Sequence, residues 1–312
     1  MTLAFVFPGQ GSQSVGMLSE LAVAHPAVRA AFDEASAGAG VDLWALALQG
    51  PEERLNQTEF TQPALLAGSV GVYRAWIAAG GARPALLSGH SLGEYSALVC
   101  AGALPLAAAA GLVRERGRLM QEAVPAGTGA MAAVLGGEDA QIAEACAAAA
   151  GDEVVAPANF NSPGQVVIAG HAAAVDRALA KLAEMGVRKA IKLPVSVPSH
   201  TALMRGAADR LAERMAALPW SMPAVPVVQN ADARAHDSLD AIRDALVRQL
   251  YLPVRWTECV QALQSAGATR LGECGPGKVL AGLARRIDKS LDARALGTPA
   301  DFDAALAAWP AG

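Results

Sequence analysis

The sequence predicts an α/β protein, a parallel sheet covered by helices and interrupted by a smaller inserted unit. Three observations carry this prediction. From residue 1 to about 125, short apolar runs alternate with long helical stretches, the rhythm of a parallel sheet with helical crossovers. Between Pro125 and Pro198 the order becomes strand, helix, strand, strand, helix, strand, which is that of a ferredoxin-like βαββαβ unit. Beyond 198 the first rhythm resumes. The expected division is a discontinuous large domain, 1–125 with 198–312, and a subdomain, 126–197.

Each element follows from its residues. Ala4–Phe7 is a short apolar run read as a buried first strand. Gln62–Ala79 and Leu106–Val124 have helical length, and Ala85–Leu87 reads as a strand between them. In the inserted unit Met131–Leu135, Val154–Phe160, Gln165–Ala169 and Lys189–Val195 read as strands, with Asp139–Ala150 and Ala172–Met185 as helices. Further on, Val225–Gln229 and Thr269–Glu273 read as strands, and Ala202–Ala217, Ala241–Tyr251 and Lys278–Lys289 as helices.

Composition narrows the function classes. The 312 residues are 53% hydrophobic and 17% charged, largely through alanine. No apolar run approaches the roughly 20 residues that span a bilayer. The N-terminus lacks the basic start of a signal peptide. Four cysteines without C-x-x-C spacing argue against a zinc site or a disulfide framework and suit the cytoplasm. A net charge of −4 and no basic arm speak against nucleic-acid binding. No metal or redox cofactor is indicated.

Chemistry concentrates at Gly89-His90-Ser91-Leu92-Gly93, a G-x-S-x-G sequence between a strand and the helix opening at Glu94. That is the context of a nucleophile elbow, where glycines permit a strained turn that exposes the serine oxygen. The amide of Leu92 then faces an oxyanion at the positive end of a helix. Gly9-Gln10-Gly11 follows the first strand, and the Gln10 amide is a candidate second donor. Taken by themselves, both segments also read as plain turns.

Ser91 needs a base, and the histidines are His25, His90, His171, His200 and His236. His90 adjoins the serine, but neighbouring side chains on an elbow diverge. His200, in Pro198-Ser199-His200, is either structural or a base held rigidly where the chain returns from the inserted unit. No Asp or Glu stands out to orient it. The helix ending before Pro253 leaves late carbonyls, Gln249 among them, without helical partners, and such a carbonyl can take the role. That pairing suggests a moderately basic imidazole. Arg116 falls on the apolar stripe of its helix with Ala109, Leu112, Val113 and Met120. A guanidinium there forms an internal ion pair, snorkels, or binds a carboxylate. Gly272–Lys278 imitates a phosphate-binding loop, but Val279 stands where a magnesium-ligating hydroxyl belongs.

These segments together resemble bacterial malonyl-CoA:acyl carrier protein transacylases, with Phe7–Gln13, Thr61–Pro63, Gly89–Tyr95, Arg116-Gly117, Asn159–Gln165, Pro198–His200, Arg248–Leu250 and Gly275–Gly277 matching in order. The resemblance implies a hydrolase-like α/β domain with a ferredoxin-like subdomain and the active site in the cleft between them. It implies Ser91 as nucleophile, His200 as base, the Gln10 and Leu92 amides as oxyanion hole, and Arg116 as malonyl-carboxylate ligand. The Gln249 carbonyl would orient His200, and Asn159, in a loop from Asn159 to Asn161, would line the cleft. The implied partners are malonyl-CoA and acyl carrier protein, whose phosphopantetheine arm comes with it. A monomer is expected. Basic candidates for meeting an acidic carrier are Arg188, Lys189 and Lys192, or Arg285, Arg286 and Lys289. Rival readings are a malonyltransferase for malonate decarboxylation or polyketide assembly, a serine thioesterase or esterase, and a non-catalytic docking module.

Overall fold

The computed structural model describes residues 2–187 and 189–310. Its strands are β1 (Thr2–Phe7), β2 (Leu86–Gly89), β3 (Gly129–Leu135), β4 (Val155–Ser162), β5 (Gln165–His171), β6 (Lys189–Lys192), β7 (Val227–Val228), β8 (Ala268–Glu273) and β9 (Asp292–Ala295). They form two sheets. The first has the order β7-β2-β1-β8-β9 and is parallel throughout. β1 and β2 are almost wholly buried, as a parallel sheet covered on both faces requires. Helices Pro26–Ala39, Thr58–Ala78 and Leu106–Glu122 pack its largest core with Phe5, Phe7, Trp76 and Leu87.

The second sheet is antiparallel, with the order β4-β5-β3-β6. Helices Asp139–Ala150 and Ala172–Glu184 cover one face, and its core of Ile142, Val166, Ile168 and Leu182 is separate from the first. This is the strand order of a ferredoxin-like unit. One edge joins the larger body: Phe160 donates to the Val254 carbonyl at 2.9 Å and Val254 to that of Ala158 at 2.8 Å.

Several boundaries moved, each for a local reason. The strand expected to Val195 ends at Lys192, because Pro194 cannot donate to a ladder. The strand expected over Val225–Gln229 shrinks to two residues after Pro226, and the chain turns back as Gln229 bonds Arg234. Asn159–Asn161 is part of β4 rather than a loop; register shifts between Pro157 and Asn159 and between Phe160 and Ser162 bend it. Helix Trp256–Ser265, strand β9 and helix Pro299–Ala308 had no assignment from the sequence pattern.

Candidate active site

The carboxyl ends of β1 and β2 lie side by side, paired from Ala4–Leu86 to Phe7–Gly89, where open parallel sheets bind ligands. The turn after β2 is sharp. Ser91 adopts φ +51°, a left-handed conformation that side chains resist. The flanking glycines are steric necessities: a Cβ on Gly89 would sit 1.9 Å from the Gly93 carbonyl carbon, and one on Gly93 1.9 Å from the Phe7 oxygen. Helix Gly93–Cys100 starts immediately, with Leu92 as its N-cap. Among the described residues, neither the Leu92 nor the Gln10 amide donates to another protein group.

Ser91 Oγ lies 2.8 Å from His200 Nε2, joining residues 109 apart in sequence. His200 Nδ1 is 2.6 Å from the main-chain oxygen of Gln249. A carbonyl only accepts, so Nδ1 carries the proton, and the bare Nε2 accepts from the serine hydroxyl. The local cause is Pro253. It stands four residues after Gln249, where the N–H closing the next helical turn would come from, and proline has none. The neighbouring Leu250 oxygen takes the His200 amide at 3.0 Å, so two adjacent carbonyls grip one residue.

His200 is less basic than its uncharged orienter suggests, pushed down from 6.5 to about 3. Burial is the main cause, and the Arg116 charge adds to it against the favourable Gln249 bond. The remaining histidines are engaged elsewhere. His90 bonds Asn161 at 2.8 Å, His171 accepts from Val154, His236 pairs with Asp232, and His25 lies against Phe302.

Arg116 is buried, as its helical position predicts. Its Nη1 donates to Gln62 Oε1 at 2.8 Å, and its Nη2 donates to Gln249 Oε1 at 2.9 Å and Ser91 Oγ at 3.2 Å. The guanidinium stands 5.4 Å from the Tyr95 ring centre, and its Nε has no partner among the described residues. Among the described residues no carboxylate pairs with it. Gln10, His90, Ser91, Leu92, Arg116, Met120, Asn159 and His200 line one cleft of about 380 Å³ between the two sheets' layers. On its wall the buried Asn159 Oδ1 is an unused acceptor among the described residues.

A second polar layer was not anticipated. Glu94, Asn230 and Gln249 are fully buried behind the elbow. Glu94 accepts from Gln229 Nε2, the Asn230 amide and Gln249 Nε2. Burial raises its carboxyl to about 7 against those bonds. Gln249 was detectable: it shares the apolar stripe Ile242, Ala245, Leu246 and Leu250, the same signal that exposed Arg116. The loop resembling a phosphate cradle is filled by the protein itself, since Glu273 accepts the Ala281 amide at 2.9 Å at that helix N-terminus. Among the described residues no group of three or more His, Cys, Asp or Glu could hold a metal ion, and no helix is long and apolar enough to cross a membrane.

The fold and this geometry define a class: α/β proteins in which a serine on a nucleophile elbow faces a neutral histidine. Residues 4–274 match the model of the acyl transferase domain, and the chain belongs to that family. It is 58% identical over 97% of its length to the malonyl CoA-acyl carrier protein transacylase of Escherichia coli K12, covering 98% of that protein. A solved malonyl-CoA:acyl carrier protein transacylase from Xanthomonas oryzae pv. oryzae is 69% identical, with a TM-score of 0.98 over 99% of this chain and 100% of that one. A malonyl-transacylase in complex with its type II PKS acyl carrier protein is 53% identical, with a TM-score of 0.97 and coverage of 99% and 100%.

Proposed function

We propose that this acyltransferase moves the malonyl group of malonyl-CoA to the phosphopantetheine thiol of holo acyl carrier protein, supplying fatty-acid synthesis. It works in the cytoplasm as a monomer and without a cofactor of its own. The observation that carries the reading is Arg116, a buried guanidinium without an ion-pair partner among the described residues, 3.2 Å from the serine oxygen. A substrate carboxylate supplies the missing countercharge. The relatives named above support the same substrates.

The reaction runs in two halves. Ser91 Oγ attacks the thioester carbon as its proton passes to His200 Nε2. The Gln10 and Leu92 amides receive the oxyanion. Losing one such donor typically costs about 10²–10³-fold in rate. The CoA sulfur leaves and takes the proton from His200, so malonyl-Ser91 remains. The carrier thiol then gives its proton to His200 as its sulfur attacks the ester carbon; Ser91 Oγ leaves and takes that proton from His200, releasing the malonyl thioester of the carrier. Residues 126–197 serve as the subdomain closing one wall of the cleft, and Asn159 contributes from its β4.

Basic groups suit docking of an acidic carrier. Lys189 and Lys192 are exposed on the edge strand β6, although Lys192 pairs with Asp176. Arg285, Arg286 and Lys289 are exposed at the end of helix Val279–Ile287, where Arg286 reaches Gln165 on the second sheet. Arg188 lies outside the described residues.

An intact mass spectrum after brief mixing with malonyl-CoA tests the proposal. A malonyl adduct is expected, absent in Ser91→Ala and discharged by holo carrier protein. Steady CoA release without transfer to the carrier would instead make the protein a thioesterase.

A further inference from the structure

The elbow carries a requirement that its own motif does not meet. β7 contributes only two residues opposite β2, pairing with Leu87 and Ser88, and then turns away. The Gly89 carbonyl and the Ser91 amide, next along that edge, therefore lose their main-chain neighbour. On the other edge β1 continues, and Phe7 accepts the His90 amide at 2.9 Å. A side chain fills the gap. Asn230 Nδ2 donates to the Gly89 oxygen at 2.8 Å, and Asn230 Oδ1 accepts from the Ser91 amide at 2.7 Å. In a parallel sheet, one residue of the neighbouring strand donates to the carbonyl before its partner and accepts from the amide after it. The Asn230 carboxamide does both across His90, so it acts as one residue of a missing strand.

The orientation of this carboxamide is settled by its surroundings. Oδ1 also faces Gln249 Nε2 at 3.4 Å, and Nδ2 faces Cys259 Sγ at 3.8 Å. Turning it over would set amide against amide and oxygen against oxygen. Its backbone is held as well. The Asn230 amide donates to Glu94 Oε2 at 2.8 Å, and its carbonyl accepts from Arg255 at 3.2 Å. Gln249 Nε2 meanwhile donates to the Ser91 carbonyl at 2.9 Å. Both ends of the serine are thus tied to buried side-chain amides.

We propose that Asn230 is a positioning residue for acyl transfer, clamping the elbow so that Ser91 Oγ stays aimed at His200. The proposal rests on the reading of Ser91 as nucleophile. A left-handed serine relaxes toward an ordinary conformation unless its neighbours prevent it. That relaxation would swing Oγ away from His200 Nε2. Misplacement by about 1 Å costs on the order of 10²-fold in rate. The substrate's carboxylate and the cleft wall are held by other residues, so binding should survive.

Asn230→Asp keeps the shape but turns the donor facing Gly89 into an oxygen, and Asn230→Ser removes the clamp. Three quantities test them: thermal stability, malonyl-CoA affinity in the Ser91→Ala background, and the single-turnover acylation rate. The expected result is a folded protein with unchanged affinity whose acylation falls about 10²-fold. Labelling of Ser91 by a fluorophosphonate should fall in parallel, since that probe needs the aimed serine but not the Arg116 contact. Wild-type acylation in a folded variant overturns the proposal, as does a matching loss of affinity. Failure of both variants to fold also overturns it, making Asn230 a folding residue. Acylation surviving in Ser91→Ala itself would sink the nucleophile reading; its loss there, with Asn230 variants at wild-type rates, sinks the clamp alone.

Discussion

Arg116→Ala should erase the preference for malonyl over acetyl groups. The guanidinium is held in place by three neutral acceptors, Gln62 Oε1 at 2.8 Å, Gln249 Oε1 at 2.9 Å and Ser91 Oγ at 3.2 Å. Burial presses its pKa below the usual arginine range, and the neighbouring Tyr95 and Glu94 only partly oppose this. A carboxylate beside it therefore completes an otherwise uncompensated charge. Removing one partner of a buried hydrogen-bonded charge pair costs about 2–5 kcal/mol. At about 1.4 kcal/mol per tenfold, malonyl acylation should fall roughly 30- to 4,000-fold in kcat/KM. An acetyl group has no carboxylate to lose, so its acylation changes only through the lost contact to Ser91 Oγ, the removal of the Arg116 charge beside His200 and any shift of Gln62 and Gln249, effects that malonyl shares. Arg116→Lys, which keeps a charge but not the planar fork, should fall between. Rapid-quench intact mass measurements with malonyl-CoA and acetyl-CoA in competition read the ratio directly. Equal losses for both substrates would refute the carboxylate assignment.

Two further outcomes follow from the same geometry. His200, pushed down to about 3, should remain neutral in its NMR titration to pH 4.5, whereas an inflection near 6.5 would contradict the buried environment. The unfolded chain takes up this proton near 6.5 and the folded chain only near 3, so this group withdraws stability as pH falls through that window. Glu94 and Glu273, both raised to about 7 by burial, act with the opposite sign between 7 and 4.5, which is why the histidine itself must be followed. Pro253→Ala restores an N–H that competes with His200 for the Gln249 carbonyl. General-base catalysis is worth about 10²–10⁴-fold, so kcat should drop at least about tenfold with KM unchanged, and an unaltered kcat would contradict the orienting role.

Much of this site was legible because it is local. Glycines 89 and 93 announce a turn that only small residues can make. Arg116 betrays itself by standing on an apolar helical stripe, and Pro253 marks where a helix must leave carbonyls free. Gln249 carries the same stripe signal for its side chain as Arg116, on the apolar face of Ile242, Ala245 and Leu246. Asn230 had no such mark. It follows a two-residue strand, and its role depends on that strand ending early.

The sequence by itself determined the alternating α/β rhythm, the βαββαβ order, the elbow and the family's motif order, each read from local segments taken in succession along the chain. Tertiary structure alone decided which partners those residues met. It brought His200 to 2.8 Å from Ser91 across 109 residues and Asn230 to 2.7 Å from the Ser91 amide across 139. It also set the basicity of His200, since desolvation and the Arg116 charge are properties of the packed interior. The physical reason is one of range. Backbone preference and periodicity act along the chain, whereas burial and charge act through space on whatever the fold has brought together.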